Sequence, residues 1–140
     1  MRIALAPDQT SRLVAALKQA GVKEIGGQLF GEQLAPSDFR VTELTVQSRP
    51  GTFARFIVDL LQAARDAVRF FDRTEHRYTR YNYIGEWHSH PPGHNARQSR
   101  DDIMQMAKLS LGMEEDGLPF LQLIVGEGEI EVYVARIEGA

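Results

Sequence analysis

The sequence predicts one α/β or α+β domain, in which helices pack against a central mixed β-sheet. Segments with the apolar spacing of helices are interspersed with short strand-like segments along the 140 residues. The last two strand-like segments are joined by Gly126-Glu127-Gly128, a turn typical of a β-hairpin. A hairpin pairs its strands antiparallel, so it disfavours a purely parallel sheet. The length suits a single domain covering residues 1–140.

Composition restricts the functional classes. Hydrophobic residues make up 43% and charged residues 25%, the balance of a globular domain. The formal charge of −3 opposes nucleic-acid binding, which needs a concentrated basic surface. No apolar run approaches the roughly 18 residues of a membrane span, and no signal peptide is apparent, so we expect a cytoplasmic protein without membrane contact. Cysteine is absent, which excludes disulfides and thiolate metal ligands.

The first part of the chain predicts a helix and two strands. Apolar residues recur at helical spacing over residues 8–20, and Gly21 supplies a stop. Residues 24–31 form a short strand framed by glycines, and residues 39–47 suit a second strand.

The middle of the chain predicts a long helix over residues 57–72. The stripe expected to face the core consists of Ile57, Leu60, Leu61, Ala64, Val68 and Phe71. Residues 73–80 are polar and indicate a solvated connection. Residues 81–88 then form a strand, which breaks at Pro91-Pro92-Gly93.

The last part predicts one helix and two strands. Ser99 begins the helix, and its inner face is expected to carry Ile103, Met106, Ala107 and Ser110. The closing strands cover residues 120–126 and 129–137.

His88 and His90 are the first candidate functional residues. Side chains two apart on a strand share a face, so these imidazoles can reach one metal ion, whereas Trp87 points the other way into the core. The turn after them places the pair at a strand end, where a substrate has access. Zinc commonly takes such nitrogen ligands.

The segment Ser99-Arg100-Asp101-Asp102 can complete the site. A carboxylate in the first helical turn would add a third ligand and leave one position for water. The same segment resembles a capping box, a role compatible with ligation. A hydrolytic site also needs a general base. Glu86 shares the histidine face, and Glu24 opens a strand that can run beside the histidine strand, so the residues alone leave both open.

These residues together resemble the JAMM (MPN+) zinc metalloprotease family in its short prokaryotic form. The family pattern is an upstream Glu, then His-Ser/Thr-His-Pro, then Ser-x-x-Asp. Here the matching segments are 24–31, 87–91 and 99–102. The resemblance covers nearly the whole chain and implies a cytidine-deaminase-like three-layer fold with a mixed sheet.

The resemblance also implies roles. His88, His90 and Asp102 would bind one catalytic zinc ion, Glu24 would be the general acid/base, and Ser99 would stabilise the oxyanion. The family usually has seven residues between the second His and the Ser, whereas this chain has eight. Strict spacing would instead select Gln98 and Asp101. We prefer Ser99 and Asp102 because they keep both residue types.

The implied activity is hydrolysis of a peptide or isopeptide bond by a zinc metallopeptidase. Enzymes similar to this chain often cut after the C-terminal tail of a ubiquitin-like or sulfur-carrier protein, which is therefore the expected partner. The alternative is a catalytically inactive MPN-type scaffold that only binds partners. A zinc deaminase is disfavoured, because the deaminase signature uses cysteine ligands.

Overall fold

This computed structural model describes residues 1–47, 60–110 and 118–135. In chain order, its elements are β1 (Arg2–Leu5), α1 (Pro7–Ala20), β2 (Gly26–Ala35), β3 (Asp38–Leu44), α2 (Leu60–Arg73), β4 (Tyr81–Ser89), α3 (Arg100–Ser110), β5 (Phe120–Gly126) and β6 (Glu129–Ala135). Every predicted helix and strand is present, with shifts of a few residues at the ends. The parts predicted for residues 57–59 and 136–137 lie outside the described residues. Strand β1 was not predicted, because four residues are too few to show a period.

The six strands form one mixed sheet in the order β1-β3-β2-β4-β5-β6. The pairs β1–β3 and β4–β5 are parallel, and the other neighbours are antiparallel. The predicted mixed sheet is therefore confirmed. Strand β2, which follows Glu24, runs directly beside β4, which carries His88.

Helix α1 covers one face of the sheet. Leu13 of this helix is buried in the main core cluster, which also contains Leu121 and Trp87 from the centre of the sheet. Trp87 is fully buried and donates its indole N–H to the Thr45 carbonyl at 2.7 Å. The prediction that Trp87 points into the core is confirmed.

Helices α2 and α3 cover the opposite face. Phe70 of α2 lies against Phe30 of β2, with ring centroids 4.6 Å apart. Met106 of α3 packs on Phe120 of β5 in a second, smaller cluster. The domain thus has three layers: α1, the sheet, and the α2–α3 pair, as expected for a cytidine-deaminase-like fold.

The predicted inner stripe of α2 is partly wrong, although Phe71 is half-buried and lies against Phe30 as expected, with ring centroids 6.3 Å apart. Leu61 and Val68 are 62% and 59% exposed, whereas Phe70 is 3% exposed. The helix is turned so that Phe70 meets Phe30 on the sheet most closely, and this orientation carries Leu61 and Val68 into solvent. Ile57 lies outside the described residues.

The inner face predicted for α3 is partly wrong. Met106 is buried, but Ile103 is 53% exposed and Ala107 is also exposed. The buried face instead begins with Asp102, one helical turn before Met106. A polar residue therefore sets the orientation of this helix.

A β-bulge interrupts β4 just before the histidines. In the pairing with β2, Leu29 faces Gly85 but Phe30 faces Tyr83, so Ile84 is an extra residue. Ile84 and Trp87 consequently both belong to the core under α1, although they are three residues apart. The bulge resets the alternation of β4 and directs Glu86 and His88 towards α3.

None of the helices in the described parts of the chain is long and apolar enough to cross a membrane. The cytoplasmic location stays a prediction.

Candidate metal centre

The end of β4 holds the two histidines against β2 and β5. His88 is the last but one residue of β4, pairs with Gly26 of β2 and is buried. His90 follows the strand, and its backbone N–H donates to the Val125 carbonyl at 2.8 Å. The Nδ1 atom of His90 lies 2.7 Å from the Asn95 carbonyl oxygen. Because a carbonyl only accepts, Nδ1 carries the hydrogen, and Nε2 is the nitrogen left for a metal.

The start of α3 holds the third candidate ligand. The Ser99 backbone N–H donates to Asp102 Oδ2 at 2.8 Å, and the Asp102 N–H donates to Ser99 Oγ at 3.1 Å. These reciprocal bonds form a capping box, with Asp in the place of the usual Glu or Gln. The cap fixes the rotamer of Asp102 and turns its carboxylate towards β4.

The structure brings His88, His90 and Asp102 together. Asp102 Oδ1 lies 3.0 Å from His88 Nε2, and Oδ2 lies 2.9 Å from His90 Nε2. The candidate ligand atoms all lie within 4.8 Å of one another, so this group could hold a metal ion. Asp101, the alternative ligand, is exposed and does not belong to this group.

The Asp102 carboxylate is held in its charged form. Burial alone would raise the pKa of Asp102, but hydrogen bonds from His88 and from the Ser99 backbone outweigh it, so the pKa lies well below the ordinary value of 3.8. A metal ligand must be deprotonated, and these contacts keep Asp102 ready for that role.

Glu24 lies two residues before β2, the strand that pairs with the end of β4. The Ser89 backbone N–H donates to the Ile25 carbonyl at 2.8 Å, one residue before the start of β2, next to the pair of Gly26 with His88. Glu24 precedes Ile25, and His90 follows Ser89, so both residues lie directly beyond this bonded pair. Glu24 is 7% exposed. It is therefore a buried carboxylate just before the strand that pairs with the histidine strand.

Glu86, the other candidate base, is bound to neighbouring side chains. Tyr83 donates its hydroxyl hydrogen to one Glu86 oxygen at 3.2 Å, and the Gln105 amide contacts the other at 3.4 Å. Burial raises the pKa of Glu86, against the smaller lowering effects of Tyr83 and His88. Glu86 thus joins β4 to α3 beneath the site.

Several residues that the sequence analysis did not identify hold the loop between His90 and α3. Glu129 of β6 accepts the Ala96 backbone N–H at 2.8 Å, and the Tyr133 hydroxyl accepts the Gln98 N–H at 3.1 Å. Gln122 of β5 contacts the start of α3. The sequence carries one indication of this role, because Gln122 is the single polar residue in the otherwise apolar segment 120–125.

Fold and site together define a mixed α+β domain with a His-His-Asp group that could hold a metal ion. The sequence profile of a family described as prokaryotic homologs of the JAB domain matches residues 7–136. The chain therefore belongs to this family.

The fold is also similar to a solved structure, the solution structure of a protein from Desulfitobacterium hafniense determined by a structural genomics consortium. The TM-score is 0.62 and the sequence identity 22%, over 97% of this chain and 84% of the other. At that identity the similarity concerns the fold alone. A comparison with curated proteins gave no significant match.

Proposed function

We propose that this protein is a zinc-dependent metallopeptidase that hydrolyses a peptide or isopeptide bond. The observation that carries the proposal is the meeting of His88, His90 and Asp102 within 4.8 Å of one another, at the end of a strand whose neighbour begins two residues after Glu24. Membership of the prokaryotic JAB family supports it, since the JAMM enzymes that the chain resembles use this set of residues.

The residues of the group fit zinc. Two imidazole nitrogens and one carboxylate oxygen are the ligands of many catalytic zinc sites, which keep a fourth position open. Both His Nε2 atoms are directed at the same carboxylate, at 3.0 and 2.9 Å, so a small shift admits an ion between the three. When bound, zinc polarises a carbonyl group and lowers the pKa of a water molecule.

Glu24 supplies the proton transfer. It takes a proton from the attacking water and returns one to the nitrogen of the departing amine, as a general base and then a general acid. Ser99 stabilises the oxyanion. Its oxygen accepts the Asp102 N–H at 3.1 Å, so its own hydrogen can be donated to the negative charge that develops on the substrate.

The proposed substrate is the C-terminal tail of a ubiquitin-like or sulfur-carrier protein. This part of the proposal comes from the family resemblance. Extended tails can be bound through main-chain hydrogen bonds to an open strand edge, and the open edges of this sheet are β1 and β6.

One experiment tests this function. Bound zinc and cleavage of a ubiquitin-like fusion are measured in wild type, Glu24→Gln and Glu86→Gln. We expect one zinc ion in all three and loss of cleavage by a factor of about 100 or more in Glu24→Gln. Glu86→Gln is the matched control, because it changes a buried carboxylate of the neighbouring strand.

A parallel pair of variants tests the ligand set. Asp102→Ala should abolish stoichiometric zinc binding, and Asp101→Ala should leave it unchanged. If the wild-type protein binds no zinc even after reconstitution, the proposed enzymatic function is refuted and the scaffold alternative is favoured. Zinc binding without any cleavage would leave a metal-binding domain of another function.

A further inference from the structure

Gln122 is a buried amide in a strand that is otherwise apolar. It lies on β5 and is 2% exposed. It is paired in the sheet with Glu86 of β4, two residues before His88. Its side chain points to the layer of α3, where a buried polar group is stable only with its hydrogen bonds made.

Both ends of the Gln122 amide bind the segment that begins α3. Its Nε2 donates to the Asp102 backbone carbonyl at 3.0 Å, and its Oε1 accepts from Gln98 Nε2 at 2.8 Å. The Gln98 amide also lies 3.2 Å from the Met106 sulfur. Gln122 therefore binds α3 at two points. One is the Asp102 carbonyl, and the other is the side chain of Gln98, which directly precedes the N-cap Ser99.

This contact fixes a distance that the capping box alone does not. The cap sets how the Asp102 side chain leaves the helix, but it cannot set where the helix stands relative to β4. Beside the contact of Gln105 with Glu86, Gln122 sets this position at the ligand, because β5 is hydrogen-bonded to β4 in register and the amide ties β5 to Asp102 itself. Its neighbours on β5, Leu121 and Leu123, are apolar and face the α1 core.

We propose that Gln122 is a positioning residue for the metal site, which holds Asp102 at ligand distance from His88 and His90. The proposal rests on the metal site of the proposed function. It adds to that site a residue that binds no metal itself and lies on β5, a strand without candidate ligands. Groups that orient metal ligands typically contribute a factor of about 10 to 100 in metal affinity.

The test compares two substitutions of the same kind. Gln122→Met keeps the volume and removes both hydrogen bonds. Gln9→Met is the matched control: Gln9 is also buried, and its Oε1 accepts the Leu44 N–H at 2.8 Å, but it lies on α1, across the sheet from the site. For each variant we measure the dissociation constant for Zn²⁺, the visible absorption of the Co²⁺ form, and the free energy of unfolding without metal.

We expect Gln122→Met to weaken Zn²⁺ binding by a factor of about 10 to 100 and to change the Co²⁺ bands, which report ligand geometry. Gln9→Met should lose stability yet keep the metal affinity within a factor of about two, as expected for sites that share no partner. A second variant, Gln98→Met, removes one of the two contacts. If Gln122→Met does not fold, Gln98→Met serves as the test, with an expected loss of affinity of at least about threefold.

Two results overturn the proposal in distinguishable ways. If wild type binds Zn²⁺ and the Gln122 and Gln98 variants bind it equally well with the same Co²⁺ spectrum, the positioning role is refuted and the metal site stands. If wild type binds neither ion, the proposed metal site is refuted, and the positioning role with it.

Discussion

The Ser89 hydroxyl oxygen accepts a hydrogen bond from the Ile25 backbone amide at 3.0 Å, inside the protein. A second bond runs from the Ser89 N–H to the Ile25 carbonyl at 2.8 Å. Ser89 stands between the two histidines but faces away from them, towards the strand that follows Glu24. It therefore joins the acid/base candidate to the candidate metal ligands.

The first prediction concerns this bond. Ser89→Ala should slow the proposed cleavage about tenfold and lower the free energy of unfolding by about 1 to 2 kcal/mol, because a buried amide loses its acceptor. Zinc stoichiometry should stay at the wild-type value, since the histidines are untouched. Cleavage rates, bound zinc and denaturant unfolding measure the three effects.

Ser89→Thr is the control for that prediction. It keeps the hydroxyl group, and the family pattern admits Thr at this position, so activity close to wild type is expected. An Ala variant that cleaves at the wild-type rate would show that Glu24 does not depend on this bond.

The second prediction concerns the pH dependence of stability. Burial raises the pKa of Glu86 above its ordinary value of 4.5, so the folded protein favours the neutral carboxyl. The contribution of Glu86 to stability is complete below pH 4.5 and is lost as the pH rises through the folded-state pKa. Glu86→Gln cannot ionise and should therefore be more stable than wild type at neutral pH.

Denaturant unfolding of the metal-free protein, in the presence of a chelator, measures this difference. The gap between Glu86→Gln and wild type should be small near pH 4.5 and should widen with pH until the buried carboxyl is ionised. If this difference in the free energy of unfolding is the same at every pH, burial does not raise the pKa of Glu86.

The third prediction concerns Asp102, whose contribution to stability depends on pH in the opposite direction to that of Glu86. Hydrogen bonds from His88 and Ser99 keep the pKa of Asp102 below its ordinary value of 3.8, despite burial. Its contribution is present above about pH 4 and is lost in more acidic solution. In metal-free protein, Asp102→Asn should cost about 2 kcal/mol at neutral pH, and the difference should close as the pH falls. Asp101→Asn, at an exposed position, is the matched control and should leave the free energy of unfolding at neutral pH close to the wild-type value.

The sequence predicted the positions of the helices and strands better than the faces that the helices turn to the sheet. Helical and strand periods identified eight of the nine elements, because each was long enough to show its period. The order of strands in the sheet and the side of each helix depend on contacts between distant segments. Phe70 on Phe30 is such a contact, and with it α2 turns Leu61 and Val68 of the expected stripe into solvent.

The candidate site could be predicted where its residues are close in sequence. His88 and His90 share a strand face, and the spacing from Ser99 to Asp102 indicates a cap. The choice between Glu24 and Glu86 could not be made in this way, since it depends on strand pairing. Gln122 shows the same limit: its two partners lie 20 and 24 positions away and are known only from the folded chain.

The last prediction concerns the bulge of β4, the feature that the strand pattern did not indicate. Gly85 has a φ of +152°, and a Cβ atom there would lie 1.9 Å from the Leu121 carbonyl oxygen of β5. Both the backbone conformation and the close approach of β5 require glycine.

Gly85→Ala should therefore cost about 3 kcal/mol or more, because β5 must move away or β4 must lose its bulge. Either change re-aims Glu86 and His88, so zinc affinity should fall together with stability. Gly128→Ala is the matched control: this hairpin glycine also has a positive φ, at +72°, but an added Cβ meets nothing within 4 Å. It should cost about 1 kcal/mol and leave zinc binding unchanged. Equal losses of stability and of zinc affinity in the two variants would show that the bulge does not set the direction of the histidines.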